Sequence, residues 1–272
     1  MRIKCRALVW AASLALCGAA QAHDIQIHDG QCGYSTDFDV RVTQDSIDFR
    51  RDAGHPAKIV MHDGHLSVDG RDVVVSADDA ARLRNYESQV RSLLPDVAEI
   101  AREGVNIGYA AMRAVLLTFA ENDDERHDMV GRLEANHRQV LARIDEGLGK
   151  GVWKPHDLDE LIEGSIQQSV SDLVGKVTGA AVKAALSGDQ NKVAALEARA
   201  DSLDHTIDKE VNARADQLGK RADALCPRLH ALDSLQQQFQ FRLQDGSRLR
   251  LLSRERDNSK KLATTDDHAN AD

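Results

Sequence analysis

Aromatic residues are scarce in this 272-residue chain, at 4%, and one of its two tryptophans, Trp10, lies in the leader described below. Glycan sites lean on exposed aromatic platforms, so a carbohydrate site has little material here. Basic charge is scarce too, with 35 Lys and Arg against 44 Asp and Glu and a formal charge of −9. Without a concentrated basic patch, such a chain repels phosphates, which argues against a nucleic-acid partner. Long apolar runs are also missing. The leader's run, ALVWAASLALCGAA, holds fourteen residues, short of the roughly 20 that cross a bilayer, and no transmembrane segment is expected.

That run follows MRIKCR, with three positive charges, and ends in small residues, the pattern of a secretory signal. Ala20-Gln21-Ala22 fits a small-x-small cleavage site, so cleavage is expected after Ala22, leaving a mature chain that starts at His23. A lipoprotein anchored at Cys17 is the alternative, although Leu16 stands where a small residue is normally required. Removal of Arg2, Lys4 and Arg6 takes the formal charge from −9 to −12.

Cysteine is limited to four, of which Cys5 and Cys17 fall in the leader. Cys32 and Cys226 remain, and in an oxidising compartment two cysteines most simply form one disulfide. It would close a loop of nearly two hundred residues, for which the chain-entropy treatment gives roughly 5 kcal/mol before strain.

What is present divides by period. From Asp24 to Ser76 apolar residues alternate: Phe38, Val40 and Val42 against Asp37, Asp39 and Arg41, then Ile47 and Phe49 against Asp48 and Arg50. A turn at Gln44-Asp45 joins these strands. KIVMH, HLSV and DVVVS follow, separated by Asp63-Gly64 and Asp69-Gly70, both hairpin signals. Residues 23–76 therefore read as a meander of short antiparallel strands.

At SVDGRDVVVSADDAARLRN the period becomes helical. Ser76 and Asp79 make a capping-box variant that starts the first of the helices in 77–149. Pro95 is placed as the first residue of a new helix, Asp96 to Ala120, the most deeply buried one, with Gly104 and Gly108 open to close approach. A third helix covers about Asp124 to Leu148, and GKGVWKPHD, holding Trp153 and Pro155, marks a corner or subdomain boundary. Two long helices, about Leu158 to Leu186 and Asn191 to Leu225, are joined by Ser187-Gly188-Asp189. Their apolar stripes are Ile162, Ile166, Val170, Leu173, Val177 and Ala181 on one, and Leu196, Leu203, Ile207, Val211, Leu218 and Leu225 on the other. They describe an antiparallel helical hairpin over 156–225, expected to project as an arm.

Cys226-Pro227 is expected to stop the arm. Residues 238–253 then read as a second β-hairpin, turning at Gln244-Asp245-Gly246-Ser247 with Phe239, Phe241 and Leu243 on one face. Because a lone hairpin is marginal in water, it is expected to join the N-terminal sheet. Residues 255–272 carry no periodic apolar residue and read as a disordered tail. The expected fold class is α+β: an antiparallel sheet from both ends of the chain, covered by helices, with the long helical hairpin between, all in one domain over 23–254.

The exported start, the cysteine opening CGYSTDFDVRV and SIDF, the run from Leu66 to Met112 and the late cysteine together resemble the YggN-like family. These are uncharacterised periplasmic proteins of Gram-negative bacteria with a domain of unknown function. The resemblance implies a periplasmic location and supplies no catalytic residues.

Chemistry-bearing motifs are absent from the sequence: no G-x-S-x-G, H-E-x-x-H, C-x-x-C or glycine-rich phosphate loop. No catalytic or cofactor-binding residue is assigned, and a non-enzymatic binding or scaffolding role in the cell envelope is expected, with the helical arm meeting a protein or a membrane surface. An unknown hydrolase is one alternative. Another is copper binding, because the amine and imidazole of His23, with His28 nearby, suit Cu(II), and His62 and His65 flank a two-residue turn. In the arm, Gly175 and Gly179 have the small-xxx-small spacing that permits close helix contact.

Overall fold

The computed structural model describes residues 33–120 and 122–254, with the side chains of 155–166, 168, 169 and 172 left aside. The leader, Ala22, His23, His28, Cys32 and the 255–272 tail lie outside the described residues.

The fold is α+β. Five strands follow in a meander: β2 (Asp39–Val42), β3 (Ile47–Arg50), β4 (Lys58–His62), β5 (His65–Val68) and β6 (Arg71–Val73), after a two-residue β1 (Tyr34–Ser35). Registers such as Val40 opposite Phe49, Phe49 opposite Ile59, and Met61 opposite Leu66 put every apolar residue of the alternation on one face. Both Asp-Gly turns have φ positive at each central residue, Asp63 and Gly64 at 46° and 80°, Asp69 and Gly70 at 50° and 78°. That is the mirror-type turn whose twist matches paired strands. Gly64 is needed for a second reason: a Cβ there would lie 2.6 Å from the Ala80 carbonyl oxygen.

A sixth strand, β7 (Val152–Trp153), pairs with β2 and gives the order β6-β5-β4-β3-β2-β7. The GKGVWKPHD stretch is therefore part of the sheet, not only a corner. Gly151 lets it in: with φ at 79°, its missing Cβ would stand 2.6 Å from the Val42 carbonyl oxygen.

The helix α1 (Ala77–Phe119) runs unbroken for 43 residues, so the expected restart at Pro95 does not occur. Ser76 caps it as expected, its hydroxyl accepting the Asp79 N–H at 3.1 Å. Proline in a helix interior removes a hydrogen bond and costs about 3 kcal/mol. Burial of Val90, Leu93 and Leu94 before it and Ala98 after it opposes that cost at about 1.5–3 kcal/mol for each large side chain. Its first half covers the sheet, and its second half packs with α2 (Asp123–Glu146), whose Met129, Leu133, Val140 and Ile144 are buried. Gly104 meets only Leu218, at 3.6 Å, and Gly108 nothing within 4 Å, so neither marks the close approach expected of them.

The hairpin consists of α3 (Pro155–Leu186) and a helix running from α4 (Gln190–Thr206) through a π-helical stretch, Ile207–Asn212, into α5 (Ala213–Asp223). It does not stand away from the body along its length. Arg214 and Arg221 of α5 pair with Glu103 and Glu99 of α1, and Arg228, just beyond the hairpin, pairs with Asp96, so the partners descend α1 as the arginines ascend the chain. Lys176 pairs with Glu125 of α2. Cys226-Pro227 does not simply end the arm but opens α6 (Cys226–Gln237), proline taking the first turn where no N–H is required.

The C-terminal segment departs most from expectation. It does turn at 244–247, with Leu243 N–H bonded to Ser247 O at 3.0 Å, and Phe239, Phe241 and Leu243 are buried. Yet residues 239–252 form no strand ladder. Only β8 (Ser253–Arg254) is a strand, and it pairs with β1 as a separate two-stranded sheet. The two ends of the described chain thus meet beside the main sheet, not within it. Four of the five phenylalanines and Tyr86 make a chain of ring contacts, Phe38–Phe49–Tyr86–Phe239–Phe241, with centroids 5.1–6.5 Å apart.

Candidate functional site

Four polar residues are buried among the described residues: Asp79, Glu87, Asp233 and Gln236. Three of them, Asp79, Glu87 and Gln236, hold irregular backbone, and Asp233 holds side chains. The Asp79 carboxylate, expected to complete its own helix cap, instead accepts the N–H groups of Gln240 and Phe241 at 3.2–3.3 Å and pairs with Arg82 at 2.9 Å. Glu87 accepts the N–H groups of Asp63 and Gly64 at 3.3 and 3.1 Å, fastening the β4–β5 turn to α1. The Gln236 side chain accepts the N–H groups of Leu251 and Leu252 and donates to the Leu252 carbonyl at 2.7 Å, as a neighbouring strand would. Asp233 receives hydrogen bonds from Gln236 and Gln237 at 2.8 and 3.0 Å. A buried amide left unpaired costs about 1–3 kcal/mol, which explains why carboxylates and a carboxamide occupy an apolar stripe. The sequence carried a signal for them: Asp79, Leu83, Glu87, Val90 and Leu94 are spaced four, four, three and four, so two charges fall on the buried face.

Where β1, α6 and β8 meet, Tyr34, His230, Asp233 and Arg254 form a second cluster. Arg254 donates to the Tyr34 hydroxyl at 2.7 and 2.9 Å, and that oxygen lies 3.0 Å from His230 Nδ1. Burial raises the Tyr34 phenol above its ordinary value; the Arg254 hydrogen bond opposes it, and the Asp233 charge adds to it. The cluster fastens the two ends of the described chain. Cys226 stands four residues before His230, and Cys32 precedes Gly33 outside the described residues.

A shallow groove of about 650 Å³ lies between the β2–β3 and β4–β5 turns and α1, lined by Asp45, His62, Asp63, Arg84, Glu87 and Arg91 among others. Its polar groups hold the turns: Arg84 donates to Asp63 O at 3.3 Å, Arg91 to Thr43 O, and His62 Nδ1 is 2.5 Å from Asp45 O. His62 and His65 face each other across β4 and β5. Among the described residues no group of three His, Cys, Asp or Glu could hold a metal ion. His23 and His28, the other histidines considered for copper, are outside those residues.

The hairpin has a different surface. Of the seven large hydrophobic residues that are exposed among the described residues, five lie on it: Val170, Val174, Val182, Leu186 and Val193, at 41, 58, 51, 83 and 38%. Val170 and Ala181, expected to face inward, face solvent, whereas Leu173, Val177, Ala180 and Ala184 are shielded. From Leu173 to Leu186 the helix is apolar apart from Lys176, Thr178 and Lys183, so spacing alone left its inward face undetermined. Among the described residues nothing lies within 4 Å of a Cβ position at Gly175 or Gly179, so their spacing serves no close contact there. Among the described residues, no helix is long and apolar enough to cross a membrane.

An α+β body that commits its buried polar groups to holding its own backbone, and a helical hairpin with an uncovered apolar face, define the class. The family model described as "Protein of unknown function (DUF2884)" matches residues 32–252, and the chain belongs to that family. Curated relatives are the uncharacterized protein YggN of Escherichia coli strain K12 and its counterparts in strains O6:H1 and O157:H7. Each is 20% identical over 149 residues, 55% of this chain and 62% of the relative. The chain thus spans less than two thirds of the length of these relatives. No solved structure matches.

Proposed function

We propose that this is a non-enzymatic periplasmic protein of the cell envelope that binds or scaffolds a partner through the α3–α4 hairpin. The observation that carries the reading is the concentration of exposed apolar side chains on the hairpin, five of seven, since exposed apolar patches mark interaction surfaces. Export is supported by the MRIKCR leader with its Ala22 cleavage site and by the family resemblance. A Cys32–Cys226 disulfide belongs to the same reading: the strand after Cys32 is bonded to the helix that Cys226 opens, through Tyr34 and His230.

Photo-crosslinkers placed in living cells at Val182 and Leu186, with Asp52 on the β3–β4 loop as control, test the contact surface. Adducts from the hairpin positions alone are expected. Adducts from Asp52 alone, or from none of the three, overturn the reading. Fractionation to the periplasm with His23 at the mature N-terminus, and faster migration of the unreduced protein on a denaturing gel, are the results expected for export and for the disulfide.

A further inference from the structure

We infer that the solvent-facing side of the C-terminal segment, with Arg242, Arg248 and Arg250, binds a ligand that carries adjacent phosphate groups. None of these residues belongs to the α3–α4 hairpin, so the site is separate from the contact surface proposed above.

Residues alternate sharply along this segment. Phe239, Phe241, Leu243, Leu249 and Leu251 are buried, whereas Gln240, Arg242, Arg248 and Arg250 are exposed. The bond from Leu243 N–H to Ser247 O closes the turn, and the Gln236 side chain holds the amides of Leu251 and Leu252 at the open end, so the two arms lie side by side in opposite directions. That path sets Arg242 beside Arg248 and Gln240 beside Arg250. Like charges facing each other across two arms are destabilising, and the chain nevertheless holds two guanidiniums together here. Asp79 clamps the first arm and Gln236 the second from within. The arginine stems therefore start from a fixed frame, which lowers the ordering that a ligand must impose.

Charge identifies the ligand class. Residues 238–252 hold three arginines and one aspartate, a net of +2 in a chain whose formal charge is −9, so the overall acidity conceals a basic stretch. Asp245, the acid in it, is engaged by the Ser247 N–H and hydroxyl at 2.9 and 2.6 Å. Among the described residues none of the three arginines forms an ion pair; Arg248 donates to the neutral Gln237 carbonyl at 3.3 Å, and the Arg242 and Arg250 side chains donate to nothing. The arginines that face α1, Arg214, Arg221 and Arg228, are each paired with a carboxylate. A guanidinium fork matches two oxygens of a phosphate, and a second guanidinium beside it takes the remaining one. Neighbours across two arms stand about 5 Å apart and alternate residues along one arm about 7 Å, so the row spans more than one phosphate. No large hydrophobic residue is exposed in 238–252, and what this face offers a partner is charge.

The test uses the processed, exported protein with inorganic tripolyphosphate, with vesicles of phosphatidylcholine alone or with phosphatidylglycerol, and with a hexaglutamate peptide. Saturable binding of tripolyphosphate by calorimetry, flotation with the phosphatidylglycerol vesicles only, or both, is expected, weakening as salt rises. Tripolyphosphate binding without flotation identifies a free phosphate ligand, and flotation without it a lipid headgroup. Arg242→Gln with Arg248→Gln lowers affinity about tenfold or more. Arg132→Gln with Arg199→Gln, the same loss of charge at exposed helix positions, changes it by less than about twofold. Binding of neither phosphate probe, equal losses in the two double variants, or equal binding of hexaglutamate overturns the inference. A lowered urea midpoint for Arg242→Gln also overturns it, since that arginine would then hold the fold. The crosslinks from Val182 and Leu186 report on the hairpin alone, so the contact-surface reading stands or falls separately.

Discussion

The body and the hairpin are held by different physics. In the body, three of the four buried polar residues satisfy irregular backbone that has no strand partner, and an aromatic chain fills the space between sheet, α1 and the C-terminal segment. In the hairpin, no residue from 185 to 224 is buried, and exposed pairs such as Arg221–Glu99, at 49 and 62% side-chain exposure, line the contact with α1. Body stability is concentrated in a few contacts that admit no replacement. Hairpin stability is spread over many weak contacts, which leaves its outer face open to substitution and to partners.

The sharpest way to break the contrast is Asp79→Ala. It strands the Gln240 and Phe241 amides in the core and leaves Arg82 without its carboxylate, and a loss of about 3 kcal/mol is expected by urea unfolding. Gly64→Ala follows at about 2 kcal/mol, because the added Cβ meets backbone and the residue keeps a positive φ. Retention of full stability by either variant would show that the body is not held as described.

Within the bundle, His137 stacks on Tyr109 with centroids 4.6 Å apart and lies 2.8 Å from Asn106. Burial, with Arg138 adding and Glu134 opposing, holds its imidazole below the ordinary value of 6.5. The unfolded chain therefore binds this proton more readily. The contribution of neutral His137 is complete above the unfolded value and is lost as pH falls through the depressed one. Stability of His137→Gln should decline less than that of the unmodified protein over that interval, measured by denaturant titrations at each pH.

The smallest effects belong to the hairpin surface. Arg221→Ala should cost well under about 1 kcal/mol and Val182→Asp about 0.5 or less, since the first removes an exposed pair and the second adds a charge to an exposed position. A cost for Val182→Asp as large as that of Asp79→Ala would place that valine in a packed contact and remove the distinction between the two regions.

Much of this was legible from residues a few positions apart. The Asp-Gly turns require positive φ, Ser76 is placed to accept an orphan amide, and Ser187-Gly188-Asp189 ends one helix and caps the next. Each outcome is decided by sterics or hydrogen bonds within about four residues, so the chain by itself determined the meander, the start of α1 and the helical hairpin. Contacts between distant segments decided the rest. Pro95 stays helical because the sheet and the bundle bury its neighbours on both sides. The C-terminal phenylalanines reach the core without a ladder because Asp79, far away in sequence, accepts the Gln240 and Phe241 amides, and Gln236, on the helix just before them, accepts those of Leu251 and Leu252. Local chemistry sets what a segment can form, whereas the satisfaction of buried polar groups is settled only when the segments are brought together.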